Sequence, residues 1–222
     1  MSPPSRAIVF DLDGTLIDSA PDIAAALNRT LAHAGLARLP VAQVAAMVGD
    51  GAVVLLQRAF AALSQPDDAA RDMRAARDYM ADYLDHAVVE TRAYPGVAAT
   101  LEKFAAQGWR MAVCTNKPEA VARKILGTLG LVEKFAAIGG GDSFPVRKPD
   151  PQHLAATMRA AGMERALMVG DHANDVLAAR GCRLPSVWAS WGYADHDPGA
   201  DAVAGDFGAL PEIARRLLGG GA

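Results

Sequence analysis

Residues 7–15 read AIVFDLDGT, and this stretch decides the fold. Its first four residues, Ala7–Phe10, are all apolar, which is typical of a short strand buried in a parallel sheet. The apolar run ends at Asp11, Asp13 and Gly14, residue types that favour a turn. Ligands of open parallel sheets bind beyond the carboxyl ends of the strands. The stretch therefore predicts a buried strand that delivers an acidic loop to a binding site.

Helix and strand patterns alternate along the second half of the chain, after a turn at 94–96. Strands are predicted at 110–115, near 136–139, at 166–169 and at 186–188, and helices up to 107, at 119–129, at about 152–161 and around 176–180. This alternation indicates βαβ units. We therefore expect an α/β fold with a doubly wound (Rossmann-like) parallel sheet and helices on both faces.

Residues 19–90 differ from the rest of the chain. They are rich in alanine, carry apolar residues at helical spacing and contain almost no strand signals. Ser19 is predicted to be the N-cap of their first helix, with Asp22 favouring the positive helix end. The chain is therefore expected to consist of an α/β core, residues 1–18 and 91–222, and an inserted helical domain, residues 19–90.

The composition is that of a soluble globular protein, with 51% hydrophobic and 21% charged residues. The formal net charge is −3 and no run of lysines and arginines stands out, so no nucleic-acid partner is expected. No segment approaches the roughly 20 apolar residues that cross a bilayer, and residues 1–10 lack a sustained apolar stretch. We expect a cytoplasmic monomer or homodimer without a membrane partner. Cys114 and Cys182 are expected to be buried thiols.

Polar side chains follow the predicted strands where ligands of such sheets bind. They are Asp11, Asp13, Thr115, Asn116, Lys148, Asp171 and Asp175. Four carboxylates at one sheet edge would repel each other, and a divalent cation makes such a cluster tolerable. Because these ligands are oxygens and no cysteine is among them, Mg²⁺ is favoured over zinc. The sequence predicts a magnesium site formed by Asp11, Asp13, Asp171 and Asp175, and His172 is expected to point elsewhere.

The same residues suit phosphoryl transfer. A carboxylate such as Asp11 can attack phosphorus and form a reactive acyl phosphate. Asp13 can protonate the leaving alcohol and then deprotonate the attacking water. Thr115, Asn116 and Lys148 are expected to bind the phosphoryl oxygens, since such reactions depend on positioned donors and positive charge.

Several glycines and cations are weaker candidates. Gly14 would let the backbone approach the substrate, and Gly49 and Gly51 would contact it through backbone N–H groups. Arg58 and Lys117 are candidates to meet a substrate carboxylate, although both are expected at the surface. The glycines at 219–221 are interpreted as a chain terminus rather than a phosphate loop.

Four motifs, in order, resemble those of the haloacid dehalogenase-like superfamily. They are FDLDGTL at 10–16, CTN at 114–116, KP at 148–149 and VGDHAND at 169–175. The resemblance implies that Asp11 is the nucleophile and a metal ligand, and that Asp13 is the acid/base whose main-chain carbonyl also binds Mg²⁺. It further implies that Asp171 is the third protein ligand and that Asp175 supports the metal shell or holds Lys148.

The resemblance extends to the phosphoglycolate phosphatases of this superfamily. The similar stretches are 18–22, 48–52, 115–118, 140–142, 147–151 and 190–193. It implies a helical cap at 19–90, whose closure excludes water, and a Mg²⁺-dependent phosphomonoesterase that hydrolyses 2-phosphoglycolate. His172 departs from the family pattern, which commonly has serine there, and the segment 180–185 is altered.

Other activities fit parts of the pattern. They are hydrolysis of another small ester such as a sugar phosphate or of pyrophosphate, a phosphomutase, a dehalogenase, and a receiver-like signalling domain. Thr15 favours the phosphatase over the mutase, and Asp13 argues against the dehalogenase. The helical insert fits a receiver poorly.

Overall fold

The computed structural model of the chain describes residues 6–219, so that 220 and 221 of the predicted glycine terminus lie outside the described residues. The chain divides into two compact units. One consists of Met1–Asp18 and Ala93–Ala222, and the other of Ser19–Arg92. The sequence predicted these boundaries at 18/19 and 90/91.

The first unit contains a parallel sheet. Its strands among the described residues are β1 (Ala7–Phe10), β4 (Arg110–Cys114), β5 (Ala137–Gly139), β6 (Leu167–Gly170), β7 (Ser186–Ala189) and β8 (Ala202–Ala204). A separate two-stranded sheet consists of β2 (Ile17–Asp18) and β3 (Arg92–Ala93). The large sheet has the order β5-β4-β1-β6-β7-β8, and every neighbouring pair is parallel. The predicted α/β fold is confirmed.

Strand β1 lies in the middle of this order. Phe10 pairs with Val113 on one side and with Val169 on the other. The chain first builds the sheet outward through β4 and β5 and then returns to the other side of β1 to add β6. This reversal creates a crevice at the carboxyl ends of β1 and β6, where ligands of such folds bind.

Helices cover both faces of the sheet. The helices of the first unit are α5 (Val97–Ala106), α6 (Glu119–Thr128), α7 (Pro151–Ala160), α8 (Ala173–Gly181) and α9 (Leu210–Gly219), with 3₁₀ turns at Val132–Lys134 and Phe207–Ala209. Side chains of a strand alternate between its faces. Val9 packs in the cluster that contains Leu154 of α7 and Ala178 of α8, whereas Phe10 stacks on Phe207 with ring centroids 5.6 Å apart. Burial of both faces explains why β1 is entirely apolar.

The second unit is helical. It contains α1 (Ala20–His33), α2 (Val41–Ala45), α3 (Ala52–Ala62) and α4 (Ala69–His86). Arg29 of α1 forms a two-pronged ion pair with Asp82 of α4, at 2.6 Å for the shortest N–O distance. The Arg71 guanidinium lies 3.9 Å from the ring centroid of Phe60. These contacts tie α1 and α3 to α4.

The predicted start of α1 is correct in position but not in mechanism. Ser19 is the N-cap residue, yet its side chain does not cap the helix. The Asp22 carboxylate instead accepts hydrogen bonds from the backbone N–H groups of Val89, Glu90 and Thr91, at 2.9 to 3.0 Å. Asp22 therefore fixes the far end of the helical unit rather than the first turn of α1.

Two further observations complete the fold. Cys114 is buried as predicted, but Cys182 is only partly buried, and both are free thiols. Within residues 6–219, no helix combines the length and the apolar character that crossing a membrane requires.

Candidate active site

The predicted polar residues converge at the carboxyl ends of β1 and β6. Asp11 directly follows β1, and its N–H still donates to the Val169 carbonyl at 2.8 Å. Asp171 directly follows β6, and Asp175 lies in the first turn of α8. The three carboxylates are buried, and each offers an oxygen within 4.8 Å of the other two. The strand order thus assembles residues that are far apart in the sequence.

Lys148 lies between two of these carboxylates. Its Nζ is 2.9 Å from Asp11 Oδ1 and 2.5 Å from Asp175 Oδ1, and the side chain is 1% exposed. Burial alone disfavours the charged amine, but Asp11 and Asp175 outweigh it and raise the pKa of Lys148 above its usual value. Lys148 is therefore a fixed ammonium beside the predicted nucleophile, and its expected contact with the phosphoryl oxygens stays a prediction.

The second carboxylate oxygen of Asp175 is also held. Asp175 Oδ2 accepts from the His172 N–H at 3.0 Å, and Asp175 Oδ1 contacts Lys148. Of the two roles that the resemblance allows for Asp175, these contacts favour holding Lys148. His172 itself caps α8, because its Nδ1 accepts from the Asn174 N–H at 3.3 Å.

The charges of this cluster fit a divalent cation. Asp171 is held by the Thr15 hydroxyl at 3.2 Å and the Tyr193 N–H at 2.8 Å. Burial, followed by the charges of Asp11 and Asp175, raises the pKa of Asp171 to about 8. One ammonium cannot neutralise three carboxylates, so full ionisation of the cluster needs further positive charge. A donor set of oxygens alone selects a hard ion.

Glycines make room for the carboxylates. Gly14 has a φ of +75°, and a Cβ there would overlap the Asp171 carboxylate. A Cβ at Gly192 would overlap Asp171 from another side, and one at Gly170 would overlap Asp175. The glycine in the acidic turn is therefore required both by backbone conformation and by close packing.

Asp13 lies apart from the three clustered side chains. Its Oδ1 is 3.0 Å from the Nζ of Lys117, and the Lys117 side chain is only 5% exposed. The expectation that Lys117 lies at the surface is wrong, because the lysine is buried against an acidic residue of the β1 loop. Arg58, the other cation considered, is in the helical unit and contacts Asp50 at 2.5 Å.

The second motif forms the neighbouring strand end. Thr115 continues the sheet through an N–H bond to the Gly139 carbonyl at 2.9 Å, and it is almost fully buried. The Asn116 side-chain amide donates to the Lys148 carbonyl at 2.9 Å. Asn116 therefore positions the loop that carries Lys148. Contact of Thr115 and Asn116 with substrate remains a prediction.

Known proteins with similar sequences identify the family. Residues 5–183 match the haloacid dehalogenase-like hydrolases. The chain belongs to this family. The resemblance inferred from the four motifs is thereby confirmed.

Several relatives that align with nearly the whole of this hydrolase are phosphoglycolate phosphatases. That of Cereibacter sphaeroides is 42% identical over 214 residues, which cover 95% of this chain and 98% of the relative. That of Rhodospirillum rubrum is 44% identical over 216 residues, which cover 92% and 89%. The crystal structure of a predicted phosphoglycolate phosphatase from Haemophilus somnus has a TM-score of 0.87 at 31% identity, with coverage of 96% and 99%.

Three contacts of this hydrolase's site were missed from the sequence. The Nε1–H groups of Trp188 and Trp191 donate to the carbonyls of Asp171 and Thr15, at 3.0 and 3.1 Å. The Tyr193 hydroxyl donates to Asp18 at 3.0 Å. Trp188 in β7 and the segment that follows this strand therefore fix the two acidic loops of the site. The similar stretch at 190–193 was the available signal for Trp191 and Tyr193.

His153 is another residue of the site that the sequence motifs do not include. It is fully buried, its Nδ1 accepts from the Lys148 N–H at 3.1 Å, and its Nε2 is 3.0 Å from the Gly140 carbonyl. Since a carbonyl only accepts, the ring is the neutral tautomer with the proton on Nε2. His153 links the end of β5 to the backbone of Lys148 and so positions the loop that carries Lys148.

Replacing His153 with Asn is expected to weaken the acid sensitivity of the fold. Burial, followed by the charge of Lys148, lowers the pKa of His153 to about 4, whereas an unfolded histidine has a pKa of about 6.5. Between these values the unfolded state binds a proton that the folded state does not, so the free energy of unfolding decreases as the pH falls. Urea denaturation across this range should show a shallower decrease for His153→Asn, whose Oδ1 can still accept from Lys148.

The control for this prediction is His33→Asn, because His33 is exposed on α1. This variant should retain the pH slope of the wild type. Equal slopes for His153→Asn and the wild type would contradict the assignment of a neutral, buried His153.

Proposed function

We propose that this hydrolase is a Mg²⁺-dependent phosphomonoesterase that converts 2-phosphoglycolate to glycolate and phosphate. The observation that carries the proposal is the buried Lys148–Asp11 pair inside a carboxylate cluster at the carboxyl ends of β1 and β6. The substrate is supported by two phosphoglycolate phosphatases that are 42% and 44% identical to this chain over 95% and 92% of its length.

Asp11 is proposed to attack phosphorus. Its Oδ1 accepts from the Leu12 N–H at 2.7 Å and lies 2.9 Å from Lys148 Nζ. Because both contacts use Oδ1, we assign the nucleophile to Oδ2. Attack forms a bond from Oδ2 to phosphorus, and the bond from phosphorus to the ester oxygen breaks, which gives an aspartyl phosphate that water then hydrolyses.

Asp13 is proposed to move the protons. In the first step it donates a proton to the leaving alkoxide of glycolate, and in the second it removes one from the attacking water. The phosphoryl oxygens are proposed to be bound by Lys148, Thr115 and the Asn116 N–H. Gly14 is proposed to let the backbone of the β1 loop approach these oxygens closely.

Mg²⁺ is proposed to be held by the carboxylates of Asp11 and Asp171 and by the main-chain carbonyl of Asp13. Asp175 is proposed to support these ligands through its contact with Lys148. Bound Mg²⁺ supplies charge neutralisation and orientation of the phosphoryl group. The site's oxygen donors and its raised Asp171 pKa support this assignment.

The helical unit, Ser19–Arg92, is proposed to be the cap of this enzyme. Gly49 and Gly51 precede α3 with φ values of 127° and 85°, conformations that favour glycine. The contact of these two glycines with substrate remains a prediction. Three other expectations also remain predictions: the cytoplasmic location, the absence of a nucleic-acid partner, and the monomeric or homodimeric state.

The proposal is tested by phosphate release from 2-phosphoglycolate, sugar phosphates, phosphoamino acids, nucleotides and pyrophosphate, each with Mg²⁺ and with excess chelator. We expect 2-phosphoglycolate to be preferred and chelation to lower its rate by at least about 100-fold, since metal stabilisation amounts to several kcal/mol. Excess Mg²⁺ should restore the rate.

Each other result contradicts a specific part of the proposal. Preference for a different ester would leave the mechanism and refute the substrate. A rate that survives chelation would refute the metal. No release from any compound would refute the phosphatase in favour of a mutase or a signalling domain.

A further inference from the structure

Lys117 is a buried lysine that the proposed mechanism does not use. It lies just beyond β4, and its Nζ is 3.0 Å from Asp13 Oδ1 with the side chain 5% exposed. Removing an ammonium from water is costly, so buried lysines are usually paired or functional. An ordinary surface role is therefore excluded for Lys117.

The backbone of Lys117 is fixed on both sides. Its N–H donates to the Thr115 hydroxyl oxygen at 3.2 Å. Its carbonyl accepts from the Gly141 N–H at 2.9 Å, and a Cβ at Gly141 would overlap the backbone of Asn116. The side chain thus starts from a rigid loop shared by the ends of β4 and β5.

The two buried lysines of the site serve different carboxylates. Lys148 contacts Asp11 and Asp175, and therefore lies on the side of the nucleophile. Lys117 contacts Asp13, the proposed acid/base. To act on the leaving group, Asp13 must come within hydrogen-bond reach of the ester oxygen, about 2.6–3.2 Å. Lys117 therefore lies on the side of the leaving group.

We propose that Lys117 binds the carboxylate of the substrate's leaving group and so selects phosphomonoesters of 2-hydroxy acids. This inference rests on the proposed function. In such esters a single carbon separates the ester oxygen from the carboxyl group, so an anion lies next to the atom that Asp13 must reach. An ammonium beside Asp13 can contact that anion through a charge-assisted hydrogen bond.

The inference is tested with Lys117→Met, Lys117→Gln and Lys117→Arg, assayed on 2-phosphoglycolate and on ethyl phosphate, which lacks the carboxylate. We expect Lys117→Met and Lys117→Gln to lower the ratio of kcat/KM for 2-phosphoglycolate over ethyl phosphate by about 10- to 100-fold, the effect of one charged hydrogen bond. Most of the loss should appear in KM. Lys117→Arg, which keeps the charge, should retain most of the preference.

The Gln variant guards against a folding defect, because its amide can still donate to Asp13 without carrying a charge. Lys103→Met, at an exposed position of α5, is the matched control and should leave the ratio unchanged. Equal losses on both substrates would overturn the inference, since Lys117 would then act only by positioning Asp13. Failure of the wild type to hydrolyse 2-phosphoglycolate would instead refute the proposed function.

Discussion

Replacing Asp11 with Asn is expected to lower kcat by about 10⁴-fold or more, the range seen when a nucleophile is removed. The amide has nearly the shape of the carboxylate, but it does not attack phosphorus. Because Asn keeps an oxygen that can accept from Leu12 and Lys148, the fold should be preserved. Phosphate release measures the rate, and acid quenching with a labelled substrate measures the phosphorylated protein, which should be undetectable.

Asp195→Asn is the control for this variant. The Asp195 side chain is 92% exposed, and the substitution removes the same charge at a position open to solvent. It should leave both turnover and labelling at the level of the wild type. Turnover by Asp11→Asn within about tenfold of the wild type would contradict nucleophilic catalysis by Asp11.

Replacing Lys148 with Met is expected to remove activity and to lower the free energy of unfolding by about 3–5 kcal/mol, the cost of breaking a buried ion pair. The substitution leaves Asp11 and Asp175 buried beside Asp171 without the ammonium that separates them. Urea denaturation in the presence of chelator measures the effect without a contribution from bound metal.

Two further variants test this explanation. Lys134→Met removes a lysine whose Nζ lies 3.8 Å from Glu102 near the surface, and it should change stability by less than about 0.5 kcal/mol. The double variant Lys148→Met/Asp175→Asn removes one of the stranded charges and should recover part of the stability without recovering activity. Equal stability of the single and double variants would show that charge repulsion is not the cause.

The sheet was predictable where its strands are buried on both faces. Such strands appear as short apolar runs, and Ala7–Phe10 was assigned with correct bounds for this reason. Strand β8 was not predicted. It has three residues, Ala202–Ala204, it lies at the edge of the sheet, and the side chain of its central residue Val203 is exposed. A strand that buries so few side chains has only a weak hydrophobic pattern in the sequence.

The candidate site was predictable in its residues but not in its contacts. Strand ends and motif order placed Asp11, Lys148 and Asp171 together without any knowledge of distances. Lys117 was expected at the surface but is buried. The sequence did not reveal this, because its partner Asp13 is more than one hundred positions away in the chain. Asp22 shows the same limit, since a capping pattern describes only local partners.

The central place of β1 has a consequence for how the enzyme forms during synthesis. Asp11 leaves the ribosome early, but the strands that flank β1 end at Cys114 and Gly170. Domains fold as units during synthesis, and pairings between distant segments form slowly. The site around Asp11, the proposed nucleophile, therefore forms only after most of the chain has been synthesised. A nascent or truncated protein that ends before β6 presents the acidic loop without Asp171 and Asp175.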